Sequence, residues 1–305
     1  MEYIIESNSL CKNYLKHRVL KDLGVHIPKG SIYGLVGKNG AGKSTFMRVI
    51  TGIQEPTSGE YKLWGVPNTD HKVSKMRKRL GAVIENVSMY PALTARQNMK
   101  QQYRILGIPS FDGIDDLLQL VGLDASSHKS VKNYSLGMKQ RLGLAMTLAG
   151  SPDCIILDEP MNGLDPEGII EMREIILKLN KEKDITFVIS SHILDELSKV
   201  ATHYGFIDDG SIVEEITSQQ LEDKCRKSSV IEVDNVSELV KLIEGTDVEY
   251  SVESDTKLVI YDEYDINTIL PSMIQKNIKL ISFGSNNESL ESYFLNLVGS
   301  HKKEA

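Results

Sequence analysis

Four short runs of apolar residues stand out in the first 220 positions, and each ends in glycine or a polar residue. They are SIYGLVG (31–37), GAVIE (81–85), DCIILD (153–158) and ITFVIS (185–190). Strands buried on both faces of a sheet have this near-continuous apolar character, and the helical periodicity between the runs is typical of parallel βαβ units. Ligands bind such sheets at the carboxyl ends of the strands. We therefore expect functional residues where the four runs end.

A different pattern follows a polar stretch at 217–228. The predicted elements are, in order, strand 229–234, helix 236–243, strands 247–251 and 257–261, helix 264–274, strand 278–283 and a last amphipathic helix 288–298. The order βαββαβ predicts a small ferredoxin-like α+β module. We therefore predict two domains, one at 1–220 and the other at 228–305.

The composition is that of a globular protein without a membrane span. Of the 305 residues, 41% are apolar and 25% are charged. No apolar run approaches the roughly 20 residues that cross a bilayer. The N-terminal stretch MEYIIESNSL is acidic and lacks the basic and apolar regions of a signal peptide, so we expect a cytoplasmic protein. Any membrane part must then come from a partner.

The charge is concentrated at the C-terminal end. Residues 221–305 hold 16 acidic and 9 basic residues, which accounts for the net charge of −7. Phosphate backbones attract lysine and arginine, so we expect no nucleic-acid partner there. The basic run at 71–80 is either a solvated helix face or a contact for anionic lipid headgroups. Cys11, Cys154 and Cys225 lack metal-ligand spacing, and we interpret them as small apolar residues.

The segment GKNGAGKST (37–45) fits the P-loop pattern G-x-x-x-x-G-K-[ST] and lies between a predicted strand and a helix-like sequence. Its glycines let the backbone curl so that successive N–H groups point inward at phosphate oxygens. Lys43, which we also count as catalytic, is spaced to reach the β- and γ-phosphates, and Ser44 to offer a hydroxyl to Mg²⁺. The predicted nucleotide-binding residues are Gly37, Asn39, Gly40, Ala41, Gly42, Lys43, Ser44 and Thr45.

The segment CIILDEP (154–160) supplies the acids that such a site needs. Asp158 ends an apolar strand and is placed to hold the hydration shell of Mg²⁺, and Glu159 follows at the strand tip. An acid beside the γ-phosphate orients or deprotonates the attacking water. We therefore predict Asp158 as a metal ligand and Glu159 as the catalytic base.

With these two segments and five others in order, the chain resembles the ATP-binding cassette (ABC) ATPases over residues 3–220. The others are KNYLKHRVL (12–20), the stretch beginning GAVIENV (81–87), NYSLGMKQR (133–141), MNGLDP (161–166) and SSH (190–192). They match, in turn, the segment that contacts adenine, the Q-loop, the signature motif, the D-loop and the switch histidine of the family. The resemblance implies an α/β P-loop NTPase fold with a RecA-like core, an antiparallel β subdomain and a helical subdomain at about 88–150.

In this family two cassettes sandwich two ATP molecules head to tail, so that each site combines the P-loop of one cassette with the signature of the other. The resemblance implies that Tyr14 stacks on adenine, that Val19 contacts the nucleotide and that His192 is a catalytic contact to the γ-phosphate. The residues that it places at the ATP of the opposite subunit are Ser135, Gly137, Met138 and Asp165.

The signature departs from the family pattern at two positions. It reads Ser-Leu-Gly-Met rather than Ser-Gly-Gly-Gln, so Leu136 replaces a glycine and Met138 an amide. A leucine prevents so close a backbone approach, and a methionine removes a polar partner of the nucleotide. Because Ser135 and Gly137 are kept, we expect weaker contacts to the opposite ATP but not inactivity.

Glu85 ends the second apolar run, where most family members have a glutamine that touches Mg²⁺ or the attacking water and reports the nucleotide state to a transmembrane partner. A carboxylate at the end of a buried strand is costly unless paired, and Mg²⁺ is the expected counter-charge. We predict that Glu85 keeps a catalytic and metal-binding role, with a tighter metal contact. The alternative is a neutral substitution at a tolerant position.

The glutamate and the C-terminal module, with its ending SLESYFLNLVG, also resemble a branch of the family that protects Gram-positive bacteria against bacitracin, lantibiotics and similar peptides. This resemblance implies the ATPase subunit of an exporter of antimicrobial or amphipathic peptides, which uses ATP and Mg²⁺ at the cytoplasmic face of the membrane. The implied partners are transmembrane permease subunits and a second copy of the chain or a similar ATPase. Met89, Tyr90 and Pro91 are the predicted permease contacts, with ordinary domain packing as the alternative.

Two other functions remain open for a chain of this family. In one, the complex senses peptides and signals instead of transporting them. In the other, the chain is a non-transport ABC ATPase that acts on ribosomes or DNA, although it lacks the second cassette and the long coiled coil of such proteins. The C-terminal module either binds a regulator, extends a dimer interface or stabilises the fold.

Overall fold

The structure, a computed structural model, describes residues 2–15, 17–85, 88–192, 194–225, 228–244, 248–261, 264–286, 293–294 and 297. The chain divides into two compact units, Met1–Ser218 and Gln219–Ala305. The polar stretch at which the sequence predicts a boundary contains a short helix, Ser218–Lys224.

Two sheets and a set of helices build the first unit. Its strands are β1 Tyr3–Tyr14, β2 His17–Pro28, β3 Ile32–Val36, β4 Ser58–Leu63, β5 Val66–Pro67, β6 Leu80–Val83, β7 Cys154–Asp158, β8 Thr186–Ser191, β9 His203–Asp208 and β10 Ser211–Thr217. Its helices are α1 Lys43–Ile50, α2 Val73–Arg77, α3 Ala95–Leu106, α4 Ile114–Leu120, α5 Leu136–Leu148, α6 Pro166–Lys183 and α7 Leu194–Ser198, and α8 Ser218–Lys224 follows at the boundary.

The central sheet has six strands in the order β10-β9-β3-β8-β7-β6. All neighbours are parallel except β10, which pairs antiparallel with β9. The second sheet is antiparallel and has the order β2-β1-β4-β5. The predicted α/β fold with a parallel core sheet and an antiparallel β subdomain is thereby confirmed, and helices α3 to α5 follow between β6 and β7.

The parallel strands are buried from end to end, as their apolar runs predict. Every residue of β3, β7 and β8 is buried. Helix α1 packs its apolar side into the same core through Phe46, Met47, Val49 and Ile50, and each such side chain contributes about 1.5–3 kcal/mol by burial. Burial also raises the pKa of the Cys154 thiol, which therefore stays protonated.

The second unit is an antiparallel sheet with helices on one face. Its elements are β11 Ser228–Val233, α9 Val236–Ile243, β12 Tyr250–Val252, β13 Lys257–Tyr261, a 3₁₀ turn at Ile266–Thr268, α10 Leu270–Gln275 and β14 Leu280–Asn286. The strand order β12-β13-β11-β14 with antiparallel neighbours confirms the predicted ferredoxin-like module. Leu239 and Met273 pack against the sheet from the two helices. The last predicted helix, 288–298, lies mostly outside the described residues.

Within the described part of the chain, no helix has both the length and the apolar character needed to cross a bilayer.

Candidate functional site

The loop between β3 and α1 has the backbone of a phosphate cradle. Gly40 and Gly42 adopt φ angles of 84° and 109°, in the left-handed region that favours glycine. Gly42 precedes α1 directly and brings no side chain to cap it. The first N–H groups of the helix therefore lack the partner that a serine or aspartate would provide, and they remain available for an anion.

The predicted P-loop residues around this cradle differ in how far they are buried. Ala41, Lys43 and Thr45 are buried, Ser44 is half-buried, and Asn39 is exposed. A Cβ atom on Gly37 would lie 2.5 Å from the Ile207 carbonyl oxygen, so only glycine fits where the loop leaves β3.

Lys43 is the one charged side chain of the loop that is buried, with 6% of its surface exposed. Its ammonium donates to the Gly37 carbonyl at 2.5 Å and lies 3.4 Å from the Lys38 carbonyl. The Glu159 Oε1 atom is 3.3 Å away and makes no hydrogen bond within the described structure, so the contact between them is ionic. The ammonium is thus held at the centre of the loop.

Glu159 stands directly after β7 in the left-handed region, at φ 52°. Its second carboxylate oxygen lies 2.8 Å from His192 Nδ1, which follows β8. The lysine and the histidine therefore hold one carboxylate oxygen each. Three predicted catalytic residues, Lys43, Glu159 and His192, thus meet at the carboxyl ends of adjacent strands, as the runs of the sequence predict.

Asp158 is buried at the end of β7 and accepts a hydrogen bond from the Ser190 hydroxyl at 2.6 Å. The same hydroxyl accepts from the Glu159 N–H at 2.9 Å. Ser190 therefore orients both acids, because β7 and β8 pair with Asp158 opposite Ser190. The sequence reasoning missed this residue, although it is the polar end of the fourth apolar run.

The signature residues lie at the start of α5, where the hydrogen bond of Ser135 is local. Ser135 caps the helix, and its hydroxyl accepts from the Met138 N–H at 3.2 Å. Asp165 caps α6 in the same way, accepting from the Gly168 N–H at 3.2 Å. None of the described contacts of Ser135 or Asp165 reaches the P-loop.

The two departures in the signature have different surroundings. Leu136 is 47% exposed, and its Cδ2 atom lies 3.1 Å from the position a Cβ would take on Gly163 of the D-loop. Gly163 has a φ of 74°, so a side chain there is disfavoured on both counts. Gly137 and Met138 are half-buried. The leucine thus packs against the D-loop of its own chain.

The two predicted adenine contacts are placed differently. The Val19 carbonyl lies 3.2 Å from the Cβ position of Gly42, so this strand edge borders the P-loop. Tyr14 is 38% exposed, and its hydroxyl donates to Gln54, beyond the C-terminal end of α1. The Lys12 ammonium lies 5.4 Å from the centre of the tyrosine ring. The described contacts bring Val19, but not Tyr14, to the loop.

The predicted extension of the second buried strand to Glu85 is wrong. Strand β6 ends at Val83, and Glu85 lies two residues beyond it with a φ of 62°, outside the range of regular strand backbone. Its side chain is 60% exposed and pairs with Arg48. The counter-charge in this structure is therefore an arginine of α1, and the metal-binding role of Glu85 stays a prediction.

The predicted permease contacts lie at the surface just after this segment. Tyr90 is 55% exposed, Pro91 is exposed, and Met89 is half-exposed. The Tyr90 N–H donates to the buried Asn98 side chain at 2.8 Å, which fixes the backbone and leaves the ring free of the core. A cavity of about 220 Å³ opens here; its lining residues are Glu85, Met89, Pro91, Val131, Lys132, Leu136, Lys139 and Gln140.

Comparison with known proteins identifies relatives that are ATP-binding proteins of transporters. Residues 20–162 match the family model described as ABC transporter. The chain is 38% identical to the bacitracin transport ATP-binding protein BcrA of Bacillus licheniformis, over 98% of each chain. It is 44% identical to the lantibiotic transport ATP-binding protein SrtF of Streptococcus pyogenes, over 69% of this chain and 89% of that protein.

Solved structures support the fold. CbiO1 of Clostridium perfringens, described as part of the ABC transporter complex cbiONQ, superposes with a TM-score of 0.66 at 23% identity, covering 81% of this chain and 96% of that one. The dimeric structure of MJ0796, a bacterial ABC transporter cassette, gives a TM-score of 0.63 at 23% identity over 70% and 98% of the two chains. With a relative similar over nearly its whole length, the chain belongs to the ABC transporter family of ATP-binding cassette ATPases.

Proposed function

We propose that this chain hydrolyses ATP to power a membrane exporter of antimicrobial or other amphipathic peptides. The observation that carries the ATPase part is the pairing of the two Glu159 oxygens with Lys43 and His192 beside the buried Asp158. The peptide substrate is proposed from the bacitracin and lantibiotic transport named for the relatives. Resistance, immunity and secretion all fit such an exporter.

In the proposed reaction, Lys43 moves from the loop carbonyls to the β- and γ-phosphates of ATP, because phosphate oxygens are stronger partners for an ammonium than neutral carbonyls. That movement releases one oxygen of Glu159, which then accepts the proton of the attacking water. His192, at the other carboxylate oxygen, is positioned to donate to the γ-phosphate. Ser190 keeps Glu159 and Asp158 in register throughout.

The residues fit a magnesium ion bound together with the nucleotide. Mg²⁺ prefers oxygen ligands and is usually held by one or two protein groups plus phosphates. The contact between Lys43 and Glu159 brings their chain neighbours Ser44 and Asp158 to the same edge of the sheet. These two residues are the proposed ligands, with Glu85 as a third candidate. When bound, Mg²⁺ neutralises charge that develops on the phosphates.

The signature half is proposed to act on the ATP of a second subunit. Ser135, Gly137 and Met138 are half-buried or exposed at the N-terminus of α5, a 13-residue helix whose dipole favours anions. Asp165 is exposed at the start of α6. The partner is a second copy of the chain or a similar ATPase, and head-to-tail pairing completes two sites.

The membrane contact is proposed at Met89, Tyr90 and Pro91. A large exposed aromatic beside a proline, over a partly apolar cavity, is the composition of a protein interface rather than of an ordinary solvated loop. Transmembrane permease subunits dock here and hold the ATPase at the cytoplasmic face of the membrane.

Peptide transport tests the proposal directly. The chain is reconstituted with its permease in inside-out vesicles, and ATP-dependent uptake of bacitracin or a lantibiotic is measured, with Glu159→Gln as the inactive control. Uptake that needs both ATP and Glu159 supports export. ATP hydrolysis stimulated by peptide without any uptake would contradict export and favour a sensory complex.

A further inference from the structure

Arg48 connects the helix of the P-loop to the Glu85 segment. It is the sixth residue of α1, which begins at Lys43. Its guanidinium contacts the Glu85 carboxylate and is, at 26% exposure of the side chain, the more buried member of the pair. Among the described residues, Glu85 is the acid within ion-pair distance of Arg48. A side chain anchored on a packed helix therefore holds one that sits on an exposed loop.

The backbone at Glu85 requires such a restraint. A φ of 62° is sparsely populated by residues other than glycine, asparagine and aspartate, and it persists where the surroundings impose it. Leu80 to Val83 pair with β7 and fix the chain up to the end of β6. The ion pair with Arg48 then fixes the side chain two residues further on.

The charge of the glutamate matters for this contact. A guanidinium stays charged at any physiological pH and binds a carboxylate more strongly than a neutral amide. A glutamine at this position, which the family usually has, would form only the weaker contact. The structure thus gives the glutamate a partner within the chain that does not depend on a metal.

Glu85 also lines the cavity that contains Met89, Pro91 and Leu136. The ion pair therefore joins the helix that follows the phosphate-binding loop to a residue that lines the same cavity as the proposed permease contacts Met89 and Pro91. Rigid elements and ion pairs of this kind couple two sites when both sites shift the equilibrium between two arrangements of the same contact.

We infer that Arg48 is a positioning residue that fixes Glu85 against α1, so that movement of the P-loop helix reaches the segment at 88–91. The inference rests on the proposed function, because it assigns the permease surface as the receiving end. It does not place Arg48 in contact with the nucleotide.

A double-mutant cycle tests the inference with Arg48→Gln, Glu85→Gln and the double variant. The first readout is hydrogen exchange of backbone amides at 80–95, measured with and without ATP in EDTA. We expect each single change to raise amide exchange in the segment that follows β6 by about fivefold. The double change should add little more, because each single change already removes the same ion pair. Arg48→Lys, which keeps the charge, should restore part of the protection.

The second readout is the stimulation of ATP turnover by membranes that contain the permease. Arg48→Gln should lower it about fivefold while the Kd for ATP of the isolated chain stays within about twofold. The control is Arg96→Gln, which removes the ion pair between Arg96 of α3 and Asp115 of α4, whose arginine is more exposed than Arg48, and which should change neither readout.

Independent effects of the two single changes on exchange, or exchange in Arg48→Gln equal to the unmodified chain, would overturn the inference. Loss of fold in any variant is checked by thermal unfolding, and the charge-swapped pair Arg48→Glu with Glu85→Arg then replaces the cycle. Failure of the proposed function has a different signature. In that case the unmodified chain transports no peptide, while the exchange cycle still reports on the ion pair.

Discussion

The two halves of the candidate ATP site differ in how far one chain completes them. In the half formed by the ends of β3, β7 and β8, the buried Lys43 and the half-buried Glu159 contact each other directly, and the exposed His192 contacts the second carboxylate oxygen of Glu159. In the half formed by the starts of α5 and α6, Ser135 and Asp165 only cap their own helices. The first half is organised before any partner arrives, whereas the second presents a helix N-terminus outward. Under the proposed function, a single chain binds nucleotide with the first half and offers the second half to the ATP of another subunit.

Among the predicted changes, replacement of Glu159 by glutamine should cause the largest loss of ATP turnover. Glutamine keeps the size and the contact to His192 but accepts no proton, so kcat should fall by about 10²–10⁴-fold while ATP still binds. Steady-state hydrolysis by the purified chain measures kcat, and a binding assay measures its affinity for ATP. Glu174→Gln, an exposed acid of α6, is the control and should keep normal turnover. Near-normal turnover in Glu159→Gln would remove the glutamate from the role of base.

Removal of the signature hydroxyl should come next. Ser135→Ala loses a donor to a charged ligand, so turnover should fall by about 10–100-fold. It also loses an N-cap, which costs about 1 kcal/mol of stability. Thr94→Ala is a matched control, because Thr94 caps α3 through the same kind of hydrogen bond to the N3 backbone. Equal turnover in the two variants would mean that Ser135 is only a cap.

Loss of the Ser190 hydroxyl tests how the first half is organised. Ser190→Ala leaves Asp158 buried without its 2.6 Å donor, which should lower the free energy of unfolding by about 1–3 kcal/mol. Urea unfolding of the nucleotide-free chain measures this. An unchanged unfolding midpoint would show that the two acids hold their places without the serine.

A smaller effect of pH is expected outside the site. Burial lowers the pKa of His203, against the opposing charge of Glu215. The unfolded chain therefore binds the proton more readily, and the stabilising contribution of neutral His203 is present above the ordinary histidine pKa and lost as pH falls below it. His203→Gln should make unfolding between pH 7.5 and 5.5 less dependent on pH than in the unmodified chain. An identical pH dependence in both would exclude His203 as the cause.

The first half of the site was predictable from sequence because its determinants are local. The spacing of GKNGAGKST and the apolar runs before Asp158 and Ser190 are enough to place these residues at strand ends. The fold of the C-terminal unit was predictable for the same reason, since each strand and helix has its own periodicity.

The details that were missed depend on contacts between distant positions. The exposure of Glu85 follows from a left-handed backbone and from Arg48, 37 positions earlier, neither of which periodicity reveals. The approach of Leu136 to Gly163 depends on how α5 packs beside the D-loop. The link from Ser190 to Asp158 depends on the register of two strands 32 residues apart in the chain.

The most direct test of the comparison is to mix two inactive variants of the purified chain, Glu159→Gln and Ser135→Arg. If the signature acts on the opposite subunit, a mixed dimer has one site with both an intact Glu159 and an intact Ser135. Random pairing then restores up to about a quarter of normal ATP turnover. If both halves of a site come from one chain, every site in the mixture carries a defect. Turnover no higher than that of either variant alone would contradict the account.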